Sequence, residues 1–226
     1  NYPWPIEEGD GLYRALVTVI GSYAKTGNLN QIDFLIHRLK ESETQGRCAP
    51  GFVGSVLNNS VTADSLSQLF LKAGQVLATD RAQIQDVLAQ VRPWVLPSLL
   101  ELLTDTPDRG IRRGLLALLR SGGGVPASLL VPLLRDHRWF VVRNAVELAT
   151  VSRDETVMED LDRLTRHPEA QVRREVMRTL SALGGAKAAR FLTRSLSDED
   201  ASVRVLAVSG LGRIGGPAHE AAVLAQ

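Results

Sequence analysis

The chain has 226 residues, 44% of them apolar, enough to bury a sizeable core in one or two domains or in one continuous array. Lys+Arg 26 against Asp+Glu 25 leaves a net charge of +1, which argues against a dedicated nucleic-acid coat or a polybasic membrane binder. One cysteine, Cys48, excludes an internal disulfide and a cysteine-based zinc cluster and fits a reducing, cytoplasmic setting, while no apolar run reaches the ~18–20 residues of a membrane-spanning helix.

In chain order, Leu12 to Lys25 and Leu29 to Glu43 read as an antiparallel helix pair around Thr26-Gly27-Asn28. Glu41 to Pro50 is polar and reads as a loop, and Phe52 to Leu57 as a weak helix. Ser65 to Ala78 and Arg81 to Val91 are stronger helices, with Asp64 and Asp80 as N-cap candidates. Residues 1–92 show no clean repeat and are expected to form degenerate repeats or an N-terminal helical cap. The start at Asn1 and the stop at Gln226 inside a helical pattern both read as cut points in a larger protein.

From residue 93 a repeat is plain. Ile111-Arg112, Val142-Arg143, Val172-Arg173 and Val203-Arg204 place arginines at steps of 31, 30 and 31 residues. A period of about 30 residues built from helix pairs predicts an all-α fold, an α-solenoid of stacked antiparallel hairpins. The expected pairs are Pro93 to Leu103 with Asp108 to Arg120, Pro126 to Arg135 with Arg138 to Thr150, Asp154 to Arg166 with Glu169 to Leu183, and Ala186 to Leu196 with Asp200 to Arg213. A fifth unit opens at Pro217 and is cut off, so residues 93–226 hold about four and a half units. Gly122-Gly123-Gly124, Gly184-Gly185 and Gly215-Gly216 end the second helices, and Pro126 and Pro217 open the next ones. Counted from each arginine, apolar residues recur at −1, +3 and often +7, within ~80° of one another on a helix, and +2 and +6 are often small.

The stretches RDHRWFVVRNAVELA, RHPEAQVRREVMRTLSALGG and SDEDASVRVLAVSGLGRIGG resemble HEAT repeats, in particular the short bacterial type also found in phycobilisome-lyase-like proteins. The resemblance covers roughly residues 93–226. It implies that second helices line the concave face and that turn carboxylates pair with the arginines in a ladder. By resemblance, Asp136 with Arg143 and Asp198 with Arg204 are the candidate pairs.

Arg112, Arg143, Arg173 and Arg204 could read phosphates in a row, but their regular recurrence at the flank of the apolar stripe favours the structural ladder. Position −4 holds Asp108, Glu169 and Asp200, acids suited to a first helical turn, whereas the second unit places Trp139 there, followed by Phe140. An exposed indole is a binding candidate. Positions +1 and +5 point away from the stripe and carry Arg113, Asn144, Arg174 and Arg178, with Val205 and Ser209 in the fourth unit. The binding candidates are therefore Trp139, Phe140, Arg113, Asn144, Arg174 and Arg178. His137 and His167 fall 30 residues apart at neighbouring turns without a third ligand, so no metal site is expected, and none is expected at His37 or His219.

No nucleophile elbow, HExxH or phosphate loop is present, and no cofactor is expected. The expected function is a non-enzymatic scaffold that docks another protein or an adjacent domain of its own chain. The alternative is an enzyme using the groove, bilin lyase-like or DNA glycosylase-like. The second version needs a basic groove, and residues 105–226 carry 18 basic against 15 acidic residues, too mild an excess to expect a nucleic-acid partner.

Overall fold

The computed structural model describes residues 11–68, 78–121, 124–152 and 155–215, and among these the regular structure is helical, with no strand. The helices are α1 (Gly11–Thr26), α2 (Leu29–Thr44), α3 (Phe52–Ser60), α4 (Ala78–Asp105), α5 (Arg109–Ser121), α6 (Ala127–Leu134), α7 (Trp139–Ser152), α8 (Met158–Leu164), α9 (Ala170–Leu183), α10 (Gly185–Arg194) and α11 (Ala201–Ile214). Residues 63–68 are also helical, and single 3₁₀ turns at Glu155–Val157 and Ser195–Ser197 precede α8 and follow α10. The expected fifth unit, Gly122-Gly123 and His219 lie outside the described residues. The chain forms two compact units, Asn1–Leu118 and Leu119–Gln226, divided inside α5.

In the first unit, α1 packs on α2 and α3, and α4 packs on α2 and α3. Gly27, at φ 72°, makes the reversal between α1 and α2. Ile20, Ile36, Val56 and Leu57 of these helices are fully buried, as is Leu66 of the 63–68 segment. Each is of the size whose burial stabilises by about 1.5–3 kcal/mol. Gly54 lets α4 approach α3 closely, since a Cβ there would sit 2.6 Å from the Trp94 indole. Lys40 lies over the same indole, 5.4 Å from the ring centroid.

The sequence places a helix break at Val91–Pro93, yet α4 runs on through both Pro93 and Pro97. The two prolines are four residues apart, on one face, and both are exposed. A helix bends outward on its solvent side, so a proline is best tolerated there.

In the second unit, α9 lies between α7 and α11, α6 packs on α7, and α10 packs on α9 and α11. Stacked hairpins of this kind make the unit an α-solenoid. Its seam is the apolar stripe read from the sequence: Val172, Val176, Leu180, Val203, Ala207 and Leu211 are buried. Small residues permit the close stacking, for a Cβ on Gly210 would come within 3.0 Å of Leu192 and 3.1 Å of Ser181. Gly184 at φ 70° and Gly215 at φ 74° end α9 and α11, as the glycine pattern requires. Pro126 stands just ahead of α6 as its N-cap residue rather than inside it.

Candidate functional site

The turns that enter the second helices share one chemistry. Thr106, Asp136, His167 and Asp198 each accept, by a side-chain atom, the N–H two residues on: Asp108, Arg138, Glu169 and Asp200, at 3.3, 2.7, 3.1 and 2.8 Å. The helical ladder then starts at Asp108, Arg138, Glu169 and Asp200, whose carbonyls accept from Arg112, Val142, Arg173 and Arg204. Val142, not Arg143, is thus the structural counterpart of the other arginines. The second repeat carries one extra residue between turn and arginine, so every Val-Arg position read from the sequence there is displaced by one.

Three expectations change as a result. The counterpart of the acidic first-turn residues is Arg138, and Trp139 matches Arg109, Ala170 and Ala201, so no carboxylate has been exchanged for an indole. Asp108 and Asp200 cap their helices, accepting from the Ile111 and Val203 N–H groups at 2.8 and 3.0 Å, whereas Arg138 folds back on Asp136 at 3.0–3.1 Å. Asn144, expected to face outward, is 5% exposed, because one residue of displacement turns it by 100° toward the seam. Asp136 pairs with Arg138 rather than Arg143.

The turn edge holds the inter-repeat ladder. Arg112, Arg173 and Arg204 each donate from Nη1 to the carbonyl six residues back: Thr106, His167 and Asp198, at 2.7–2.9 Å. Arg173, 6% exposed at its side chain, also reaches the next repeat, giving Nε and Nη2 to the two oxygens of Asp198 at 2.9 Å and Nη2 to Glu199 at 3.0 Å. So Asp198 meets Arg204 through its backbone carbonyl and Arg173 through its carboxylate. A second rung escaped the sequence reading. Arg135 grips buried Asp160 with Nε and Nη2 at 2.9 and 3.0 Å, and Arg163 joins at 3.2 Å while also bonding the Leu134 carbonyl. Arg194 pairs with Asp162. The available signal was the identical spacing of 25 residues in Arg135–Asp160 and Arg173–Asp198.

These contacts set the ionisation of the edge. Burial alone would raise the Asp160 carboxyl, but hydrogen bonds and charges from Arg135 and Arg163 outweigh it and hold the group below the usual carboxylate range. The hydrogen bond from Arg138 does the same for Asp136. Burial pushes the His167 imidazole below its ordinary value; the Glu169 charge opposes this, and the guanidiniums of Arg163 and Arg173 act with burial. Neutral His167 also suits its Nδ1, which accepts the Glu169 N–H.

The opposite character appears on the face formed by α7, α9 and α11. Arg120 meets Glu147 at 3.1 Å, Arg143 lies 3.8 Å from Glu147 and 4.0 Å from Glu175, and Arg178 meets Glu175 at 2.8 Å. Arg174 lies 3.9 Å from Asp200 and gives its Nε to the Ala170 carbonyl at 3.3 Å. Below this row, Thr179 donates to the Val146 carbonyl at 3.0 Å. Its single proton is then used, so Thr150 is the donor in the 2.8 Å Thr150–Thr179 contact. Between α9 and α11 lies a shallow depression of about 400 Å³ lined by Arg174, Arg178, Ala201, Ser202, Val205 and Leu206.

The structure thus brings Arg174 and Arg178 to one depression. Phe140, 38% exposed, sits at the start of α7 in a T-shaped contact with half-buried Trp139, and Arg138 lies over its ring. Arg113 is exposed on α5 in the first unit. Among the described residues no three His, Cys, Asp or Glu side chains group to hold a metal. No helix there is long and apolar enough to cross a membrane.

Residues 153–226, part of the second unit, match the family model of HEAT repeats. No curated protein matches the chain. Among solved structures, the crystal structure of an engineered protein, a Northeast Structural Genomics Consortium target, is 16% identical, with 94% of this chain and 67% of that one covered. The TM-score of that match is 0.42.

Proposed function

We propose that this HEAT-repeat chain is a non-enzymatic, cytoplasmic scaffold that docks another protein on the face of α7, α9 and α11. The observation that carries the reading is the division of labour between the two sides of the second unit. On the turn edge, arginines are consumed by buried carboxylates and backbone carbonyls. On the helix face, Arg174 and Arg178 also have local partners in the Ala170 carbonyl and Glu175, but both still line an open depression beside exposed Val205. Interaction surfaces favour such a mixture of arginine and apolar side chains over a uniformly charged one.

A groove built to hold DNA would present several unpaired cations to phosphates. Here Arg120, Arg143 and Arg178 alternate with Glu147 and Glu175, which supports a protein partner instead. The test compares proteins retained by the immobilised chain with those retained by an Arg174→Glu, Arg178→Glu variant and by an Arg190→Glu control on α10. Loss of the same retained proteins only in the first variant is expected. Equal retention by all three forms refutes the assignment of the face, and a mobility shift of DNA at low salt refutes the class of partner.

A further inference from the structure

If the α7–α9–α11 face docks a protein, the depression between α9 and α11 narrows what that protein presents there. We propose that it receives an extended segment carrying a carboxylate side chain two residues from an apolar one, the acid on Arg174 and Arg178 and the apolar group on Val205 and Leu206. The two walls differ in chemistry. Arg174 and Arg178 form the α9 side, and Ala201, Ser202, Val205 and Leu206 the α11 side.

The α9 wall is cationic at its outermost layer. Arg178 meets Glu175 through Nη1, and Glu175 is buried beneath it. Arg174 stands 3.9 Å from Asp200, beyond hydrogen-bond distance. Neither carboxylate lines the depression, so its charged side chains are the two guanidiniums, which suit a forked, two-oxygen contact with an incoming carboxylate.

The α11 wall departs from the repeat. Helix starts align Val205 with Arg113, Arg143 and Arg174, so an apolar side chain stands where three earlier repeats place arginine. Val205 is 64% exposed, an apolar surface with no role in the seam. Packed helices lie ~8–10 Å apart, and same-face side chains of an extended chain recur about every 6.6 Å, so an acid and an apolar group at alternate positions reach both walls. Phosphate would satisfy the arginines but leave the valine and leucine unused.

An immobilised peptide array tests this with the full chain as probe. The peptides share a Gly/Ser background and vary two positions, Asp, Glu, Asn or Gln at one and Leu, Ile, Phe or Ser two residues on. Acid-x-apolar peptides are expected to retain about tenfold more chain than their amide or serine counterparts, with retention falling as salt is added. Arg174→Glu with Arg178→Glu should abolish the preference for acid, and Val205→Asp should separately abolish the preference for the apolar residue, with far-UV circular dichroism unchanged in both. Retention that ignores the acid overturns this chemistry while leaving the docking face standing. Retention of no peptide overturns it too, and the protein-capture comparison above then judges the face alone. An oligothymidylate that competes for the same arginines overturns it in favour of phosphate.

Discussion

Arg143 and Arg173 occupy the same Val-Arg motif, yet their truncation to alanine should have very different costs. The Arg173 guanidinium is 6% exposed and makes five hydrogen bonds, to both oxygens of Asp198, to Glu199, and to the His167 and Pro168 carbonyls. Removing it leaves Asp198, itself about 10% exposed, without its countercharge, and orphans two carbonyls at a repeat junction. Breaking a buried pair of this kind costs about 3–5 kcal/mol. Glu199 is mostly in water and adds little, and Asp198 keeps the Asp200 N–H, so about 3 kcal/mol is expected. Arg143 is 39% exposed, with carboxylate oxygens at 3.8 and 4.0 Å, outside hydrogen-bond reach. Its loss should cost about 0–1 kcal/mol. Urea unfolding followed by far-UV circular dichroism should therefore move the midpoint for Arg173→Ala by about 1 M or more, given a slope of about 1–3 kcal/mol per molar, and barely move it for Arg143→Ala. Equal shifts would show that the arginines are equivalent and that the one-residue displacement of the second repeat is wrong.

Acid sensitivity should enter in two windows. The His167 pKa is depressed on folding, so the unfolded chain binds its proton first, and stability falls as pH drops below about 6.5; His167→Asp, the residue found at the equivalent turns Asp136 and Asp198, should flatten that slope in thermal melts across pH 5–7. The Asp160 pKa is also depressed, so its contribution is present above about pH 4 and lost as pH falls through its folded value. Asp160→Asn should cost about 1–2 kcal/mol at neutral pH, less than breaking the Arg173 contact because Arg135 and Arg163 can return to water, and the difference from wild type should vanish in strong acid. In the first unit, Gly54→Ala drives a methyl to 2.6 Å from the Trp94 indole and should destabilise by about 1–3 kcal/mol in the same urea assay, with a shift in tryptophan emission; unchanged stability would mean that α3 and α4 separate without cost.

Much of the fold was legible along the chain because it depends on local rules. The interval of Val-Arg pairs, the apolar residues on one stripe and the glycines at φ 70–74° each state where a helix must start, face or stop. The α1–α2 hairpin was legible for the same reason, around Gly27. Tertiary structure decided what counting could not. Periodicity in sequence numbers the residues, whereas the turn acceptors Thr106, Asp136, His167 and Asp198 set where each helix begins, and one residue between the two schemes rotates a side chain by 100°. That rotation buries Asn144, frees Arg143 from its turn and makes Arg138 the counterpart of three acids. Solvent on one side of α4 likewise decided that Pro93 and Pro97 continue a helix they would end elsewhere. Only the stacking of α7, α9 and α11 separated Arg173, buried at the ladder, from the pair that lines an open depression, because burial and partner distance belong to the space between repeats and to no segment alone.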